Sequence, residues 1–298
     1  MADEPAQPEY RVSSHTPAQT TVRRVLRGTS VRIALVVLGL AALVAVAAPA
    51  LAPYDPREQP DVVSERNRPP SAAHPFGTDQ YSRDVLSRVI WGSQVSLGVA
   101  VSSVLLAVTV GALVGAVAGF AGGWLDTILM RLVDAMLSVP RVLLLLVLVA
   151  SLGSLSVAGI ILLLGLTGWP GMSRIVRSEV YSLKQREFVL AARATGVTEW
   201  RVLTHHILPG LVPLLLVAGT LAFASVIPLE AGLSFLGLGV QPPLASWGNI
   251  ILDGADRPGD VWWVVFFPGV AIVATVLAIN TLGDRLREAV DPRQLPPQ

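Results

Sequence analysis

Six stretches of this chain stay apolar for about the thickness of a bilayer's hydrocarbon core, and nothing else in it constrains the fold as much. They fall at 32 to 53, about 95 to 120, about 125 to 151, 155 to 172, 210 to 232 and 262 to 282. A helix needs roughly 20 apolar residues to cross. Only 14% of the 298 residues are charged, 52% are hydrophobic, and the mean hydropathy is +0.61. Soluble domains carry about a quarter charged residues. The expected fold class is therefore an all-α polytopic membrane protein with six transmembrane helices, which puts both chain ends on one side.

The first run resembles a cleaved leader in two respects. Ala50-Leu51-Ala52 has small residues at the spacing of a cleavage site, and Arg23, Arg24 and Arg27 precede the run. The run is longer than a leader's apolar core, and Pro53 would follow the cut, so an uncleaved first helix over 31–53 is expected. Residues 1–30 read as a disordered tail, 54–94 as an external loop with an amphipathic segment, and 95–283 as a five-helix core. Loop 176–209 interrupts that core, and 284–298 form the C-terminal tail.

Lys and Arg set the side. Arg174, Arg177, Lys184, Arg186, Arg193 and Arg201 crowd the connection between the fourth and fifth runs, and Arg285, Arg287 and Arg293 follow the sixth. Between the fifth and sixth there is only Arg257. Arg57, Arg66, Arg68, Arg83 and Arg88 count the other way, but their loop is long and rich in acids. Both termini and loop 176–209 are expected in the cytoplasm.

Two features concern packing. Gly111, Gly115, Gly119 and Gly123 recur every fourth residue and are expected to line one helix face at close contact, as static packing rather than a sliding surface. From Ile207 to Val240 the only charge is Glu230, too long for one straight span. Pro209, Pro213, Pro228 and several Gly are expected to divide it, with the span ending near 230 and residues 232–248 lying near the outer surface. An unpaired charge at a span centre costs about 2.5–3.5 kcal/mol. Glu230 is therefore a candidate for gating at the outer mouth, or for bonding backbone N–H groups of the following turn.

Several chemistries lack their residues. A phosphate-cradling loop needs a Gly-Lys pair, and the only lysine, Lys184, follows Leu183. The chain contains no Cys, so Cys-based metal or nucleophilic sites are excluded. His15 and His74 lie in different polar segments, and the adjacent His205 and His206 point about 100° apart on a helix. No metal site, cofactor or catalytic residue is expected. A net charge of +1 gives no reason to expect nucleic-acid binding. Asp134 and Arg141, seven residues apart in the third run, are thin material for a proton relay.

The charged insert "REFVLAARATGVTEWRVLTHHILPG" (186–210) reads as helix, glycine turn, helix. Ala191, Ala192 and Ala194 favour a helix over 183–194, Gly196 stands where a C-terminal glycine belongs, and Thr198 is placed to cap a second helix. Small alanines leave a shallow surface on which a partner's groove can close.

This insert resembles the cytoplasmic signature of bacterial ABC-importer permeases: Glu-Ala-Ala, three residues, Gly, nine residues, an apolar position, one residue, Leu-Pro. Ala191, Ala192, Gly196, Leu208 and Pro209 match in register, while Leu190 takes the usual Glu position and His206 the apolar one. "EFV", beginning at Glu187, and "HILP" are similar to the dipeptide/oligopeptide/nickel branch. So are "HPFGTDQYSRDVLSRVIWGSQVSL" (74–97), with Ser82 at a usual Gly, "MRLVDAMLSVP" (130–140), "EAGLSFLGLGVQPPLASWG" (230–248) and "NTLGDRLREAVDPR" (280–293). The resemblance implies the type I ABC-importer permease fold in a multi-pass bacterial inner-membrane protein. Its partners would be a homologous second permease, two ABC ATPase subunits that hold the ATP and Mg, and an extracytoplasmic solute-binding protein, in contact with membrane lipid. Glu187, Ala191, Ala192, Gly196, Leu208 and Pro209 would be the ATPase-coupling residues. The implied cargo is dipeptides or short oligopeptides, with nickel or a nickel chelate as alternative. A stand-alone proton-coupled transporter is the alternative of another class.

Overall fold

The computed structural model describes residues 28–290, and among them it is helical with a single isolated β-bridge, Thr78 to Asp84. Arg23, Arg24, Arg27, Arg293, His15 and most of both tails lie outside the described residues. The helices are α1 (Thr29–Val46), α2 (Ala48–Leu51), α3 (Val85–Ala121), α4 (Gly123–Leu137), α5 (Arg141–Leu152), α6 (Val157–Lys184), α7 (Glu187–Ala194), α8 (Glu199–Val202), α9 (Leu208–Phe235), α10 (Trp247–Gly254) and α11 (Trp262–Val290). A π-turn, Leu203–Ile207, joins α8 to α9.

Five helical stretches are long and apolar enough to cross a membrane, and the pair α4–α5 supplies a sixth crossing when counted as one. That pair corrects the expectation of a single run from 125 to 151: it bends by 79° at its break. Pro140 causes the break, since it has no N–H to donate and disfavours a helical conformation at Val139. Asp134 and Arg141 therefore stand on different helices, Asp134 paired with Arg174.

Other boundaries differ too. α3 has 37 residues, about 55 Å, and starts ten residues before the expected span. Asp84 caps it by accepting from Ser87 N at 2.7 Å. α6 runs on to Lys184, so residues 176–184 of loop 176–209 are an extension of a spanning helix. Pro213 and Pro228 lie inside α9 without dividing it, as spanning helices tolerate where neighbours satisfy the freed carbonyls. Residues 236–250 are partly folded back into the protein: Val240, Ala245, Ser246, Trp247, Gly248 and Ile250 are buried among α3, α9 and α11, while Leu236, Gly237, Pro242 and Pro243 are exposed.

α3 and α6 run parallel, joined by the α4–α5 return. Gly111 faces Met172, Gly115 faces Ser173 and Val176, and Gly119 faces Arg177 and Val180. A Cβ on Gly115 would stand 2.4 Å from the Ser173 carbonyl oxygen, so only glycine permits this approach. Gly123 does not share that face. It begins α4 with φ +59 and open space around it, because α3 ends at Ala121 and Gly122 (φ +66) turns the chain.

The core has three parts. Val99, Val104, Leu145, Leu164, Ile227 and Trp247 occupy the middle. Met172, Val176, Val180, Val189, Val202, Ile207 and Leu211 lie at the end bearing α7 and α8. Val85, Ile250, Val261, Trp263 and Val264 fill the opposite end.

Candidate functional site

At one end, α7 and α8 form a hairpin whose turn is a complete glycine C-cap. Val197 N donates to Ala192 O at 3.1 Å and Gly196 N to Arg193 O at 3.0 Å, with Gly196 at φ +82. This six-to-one and five-to-two pair satisfies the carbonyls left open at the helix end. Thr198 occupies the N-cap position of α8 with extended backbone, but its side chain makes no cap bond. Arg193 donates to Glu199 across the turn at 2.9 Å, an exposed contact worth well under about 1 kcal/mol.

Burial divides the hairpin in two. Val189, Val202 and Ile207 are fully buried against α6 and α9. Phe188, Leu190 and Trp200 are 50%, 51% and 73% exposed. Glu187 and Ala191 are exposed, and Ala192 is half-buried. Leu208 and Pro209 sit apart from this face, at the foot of α9. The alanine-based reading found the turn and missed the exposed aromatics. Two aromatic side chains among charged neighbours, out of register with the buried valines, were the signal available.

The hairpin hangs from a polar cluster. Asp126, at the start of α4, accepts from both Nε and Nη2 of Arg177, the latter at 2.6 Å, and from Tyr181 Oη at 2.9 Å. One turn further along α6, Lys184 Nζ donates to the Gly119 and Phe120 carbonyls at 3.2 and 2.8 Å, closing the C-terminal end of α3. The chain's only lysine thus ties α6 to α3 at the point from which the hairpin departs. His205 and His206 lie in the π-turn, His205 Nδ1 2.8 Å from Thr204 Oγ1 and His206 stacked near Phe188.

Near the other end of α9, Glu230 is fully buried. Its carboxyl accepts from Ser96 Oγ (3.1 Å) on α3 and Ser234 Oγ (2.7 Å) one turn on. Those hydroxyls in turn accept the backbone N–H of Trp247 and of Val240, both at 3.1 Å. Glu230 therefore holds the folded-back segment through two serines; of the two roles open to it from the sequence, bonding to backbone N–H groups of the following turn is met only indirectly, and gating is not tested by the geometry.

Beyond it lies an ion cluster. Buried Asp79 accepts from Arg83 Nε at 2.7 Å and from Arg88, while Asp253 of α10 accepts from the same two arginines at 2.8 and 2.6 Å. Loop 54–84, the start of α3 and α10 are thereby fixed to one another. Outside the helices, Asp61 accepts from Ser64 Oγ at 2.6 Å, from Ser64 N and from Val63 N, and these bonds, the Ser64 hydroxyl first, hold its carboxyl below the usual range.

Five apolar helices and a bent pair long enough to cross a bilayer, in glycine-mediated contact, define a polytopic helical membrane protein. Residues 107–295 match the family described as binding-protein-dependent transport system inner membrane component. The chain belongs to that family, whose members are inner-membrane components of transport systems rather than enzymes. Residues 16–70 match the N-terminal TM domain of oligopeptide transport permease C. Over 283 residues the chain is 42% identical to a putative peptide transport system permease protein of Brucella suis biovar 1, covering 93% of each. A putative peptide permease protein of the same organism is 42% identical over 285 residues, 94% of this chain and 93% of that one. The dipeptide transport system permease protein DppC of Alkalihalophilus pseudofirmus is 35% identical over 286 residues, 96% of this chain and 93% of that one.

Proposed function

We propose that this chain forms half of the translocation pathway of an ATP-driven importer for dipeptides or short oligopeptides. A homologous second permease completes the pathway, and a solute-binding protein delivers substrate at the Glu230 end. Two ABC ATPases, carrying the ATP and Mg, bind at the hairpin end. The peptide cargo is supported by the names of the relatives, which are peptide and dipeptide permeases. The ATPase contact is supported by one observation above all: Phe188, Leu190 and Trp200 are exposed on a hairpin whose other face is locked into the core. Apolar and aromatic anchors presented on a rigid element suit a partner's groove.

The connections support alternating access. When the ATPases close, a hairpin anchored by Val189 and Val202 moves with α6, and the Asp126–Arg177 and Lys184 contacts pass that movement to α4 and α3. At the far end Glu230 ties α9 to α3 and to the folded-back segment, a latch placed to open towards the binding protein. Both termini and the hairpin lie on the cytoplasmic side. Arg83 and Arg88, which count against that orientation, are already neutralised by Asp79 and Asp253.

Substitution at the turn tests the contact. Gly196→Val forces a β-branched residue to φ +82, at about 1–2 kcal/mol, and Ala192→Trp overpacks a half-buried position for about 1–3 kcal/mol. Both variants are expected in the membrane at normal abundance, with ATPase co-purification or uptake reduced at least tenfold. Normal uptake with ATPases bound in both would reduce the hairpin to a connector.

A further inference from the structure

Arg141 is a cation in the spanning region that the coupling route does not use. It opens α5 directly after the 79° break, in a bent pair counted as a membrane crossing. Its guanidinium donates to the Leu164 carbonyl at 2.8 Å and, at 3.4 Å, to Thr167 Oγ1. Among the described residues no carboxylate comes within 4.0 Å of it. Its contacts on α6 lie seven to ten residues past Val157, the first residue of that helix, so about 10–15 Å into the span. Counted from the start of the helix, that depth falls within a hydrocarbon core about 30 Å thick. An arginine held there costs at least about 2.5 kcal/mol, and such residues mark the paths of charged cargo.

Beside it lies a cavity of about 520 Å³ between α4–α5 and α6. Met136, Leu144, Leu148, Leu162 and Leu166 line it, and Thr167, the one lining residue with a polar side chain, is the residue that Arg141 bonds. The volume lies in the range of small-ligand sites, roughly 300–1,000 Å³. An apolar chamber whose one polar wall residue is bonded to a cation has the polarity of a small molecule that carries an apolar side chain and one carboxylate.

We propose that Arg141 binds the free C-terminal carboxylate of a peptide in transit, while an apolar side chain of that peptide occupies the leucine-lined cavity. With Nε and one Nη2 hydrogen engaged by Thr167 and Leu164, the Nη1 and Nη2 edge still offers two parallel N–H groups that match a carboxylate's two oxygens, a geometry that lysine cannot reproduce. The bend frees the first turn of α5 from a continuous helix, and Arg141 Nε lies 3.4 Å from Thr167 Oγ1 in the cavity wall. This inference rests on the peptide-importer reading.

The test uses the assembled complex in proteoliposomes, with the wild-type binding protein throughout, so that protein's own preference cancels between variants. Leu-Leu and its C-terminal amide are the probes. Arg141→Gln is expected to lower Leu-Leu uptake at least tenfold and amide uptake no more than twofold, with Arg141→Lys in between. Because the chain has no cysteine of its own, Arg141→Cys adds a single thiol, whose labelling millimolar Leu-Leu is expected to slow several-fold and the amide is not. An equal fall for both peptides with an unprotected Cys variant would overturn the proposal. Loss of the second permease from Arg141→Gln complexes would overturn it too, by assigning the arginine to an inter-subunit ion pair. Absence of ATP-dependent uptake by the wild-type complex would instead defeat the importer reading, and protection of the Cys variant by peptide is read independently of uptake.

Discussion

Glu230 makes two hydrogen bonds, and both partners are serines that themselves hold backbone N–H groups. The chain is Glu230 to Ser96 to Trp247 N, and Glu230 to Ser234 to Val240 N. In Glu230→Gln an amide N–H2 faces a hydroxyl that needs an acceptor, so one serine loses its place, at about 1–1.5 kcal/mol. The side chain keeps its volume, and assembly is expected within twofold of wild type. Under the proposed latch role, uptake measured in proteoliposomes should fall about tenfold. Wild-type uptake at wild-type assembly would make Glu230 a structural residue only. The sequence marked Glu230 as the sole charge in a long apolar run, but no periodicity connects it to Ser96, 134 residues earlier. The Asp79–Arg83–Arg88–Asp253 cluster was unreadable for the same reason: Asp253 lies 170 residues from Arg83.

Helix positions were legible, and helix ends were not. The apolar runs located every spanning stretch, because a bilayer imposes their length. The runs did not show that α3 extends to Val85, since that extension is held by polar bonds to loop 54–84 and α10 rather than by lipid. Pro140 broke its helix, yet Pro213 and Pro228 did not break theirs, and sequence alone offers no rule separating them. The four-residue glycine period continued through Gly123 in sequence, while the helix stopped at Ala121. At the α3–α6 contact, Gly115→Ala should lower stability by about 1–3 kcal/mol, because its Cβ meets a backbone oxygen that must shift. Gly171→Ala, on α6 with nothing within 4 Å, should be neutral or slightly stabilising through helix propensity. Thermal loss of monodisperse protein in detergent measures both. Equal midpoints for the two variants would show that the glycine contact is looser than described.

At the scale of the whole molecule, the hairpin end and the ion-cluster end have different tasks. The hairpin end gathers Lys184, Arg177, Tyr181 and Asp126 around a projecting apolar face. The other end is closed by Asp79, Arg83, Arg88, Asp253 and the Glu230 bonds. Assigning the first to the ATPases and the second to the binding protein is the central claim, and cross-linking tests it most directly. Because the chain has no cysteine, a single one is placed in the assembled complex at Phe188 or Trp200 on the hairpin, or at Val63, which is 92% exposed in the loop at the other end. A short bifunctional thiol-to-amine reagent is then applied. Phe188→Cys and Trp200→Cys are predicted to cross-link to an ATPase subunit, with yields that change between nucleotide-free and ATP-bound complexes, while Val63→Cys never reaches it. Cross-linking of the ATPase from Val63→Cys, or from none of the three, would contradict the account.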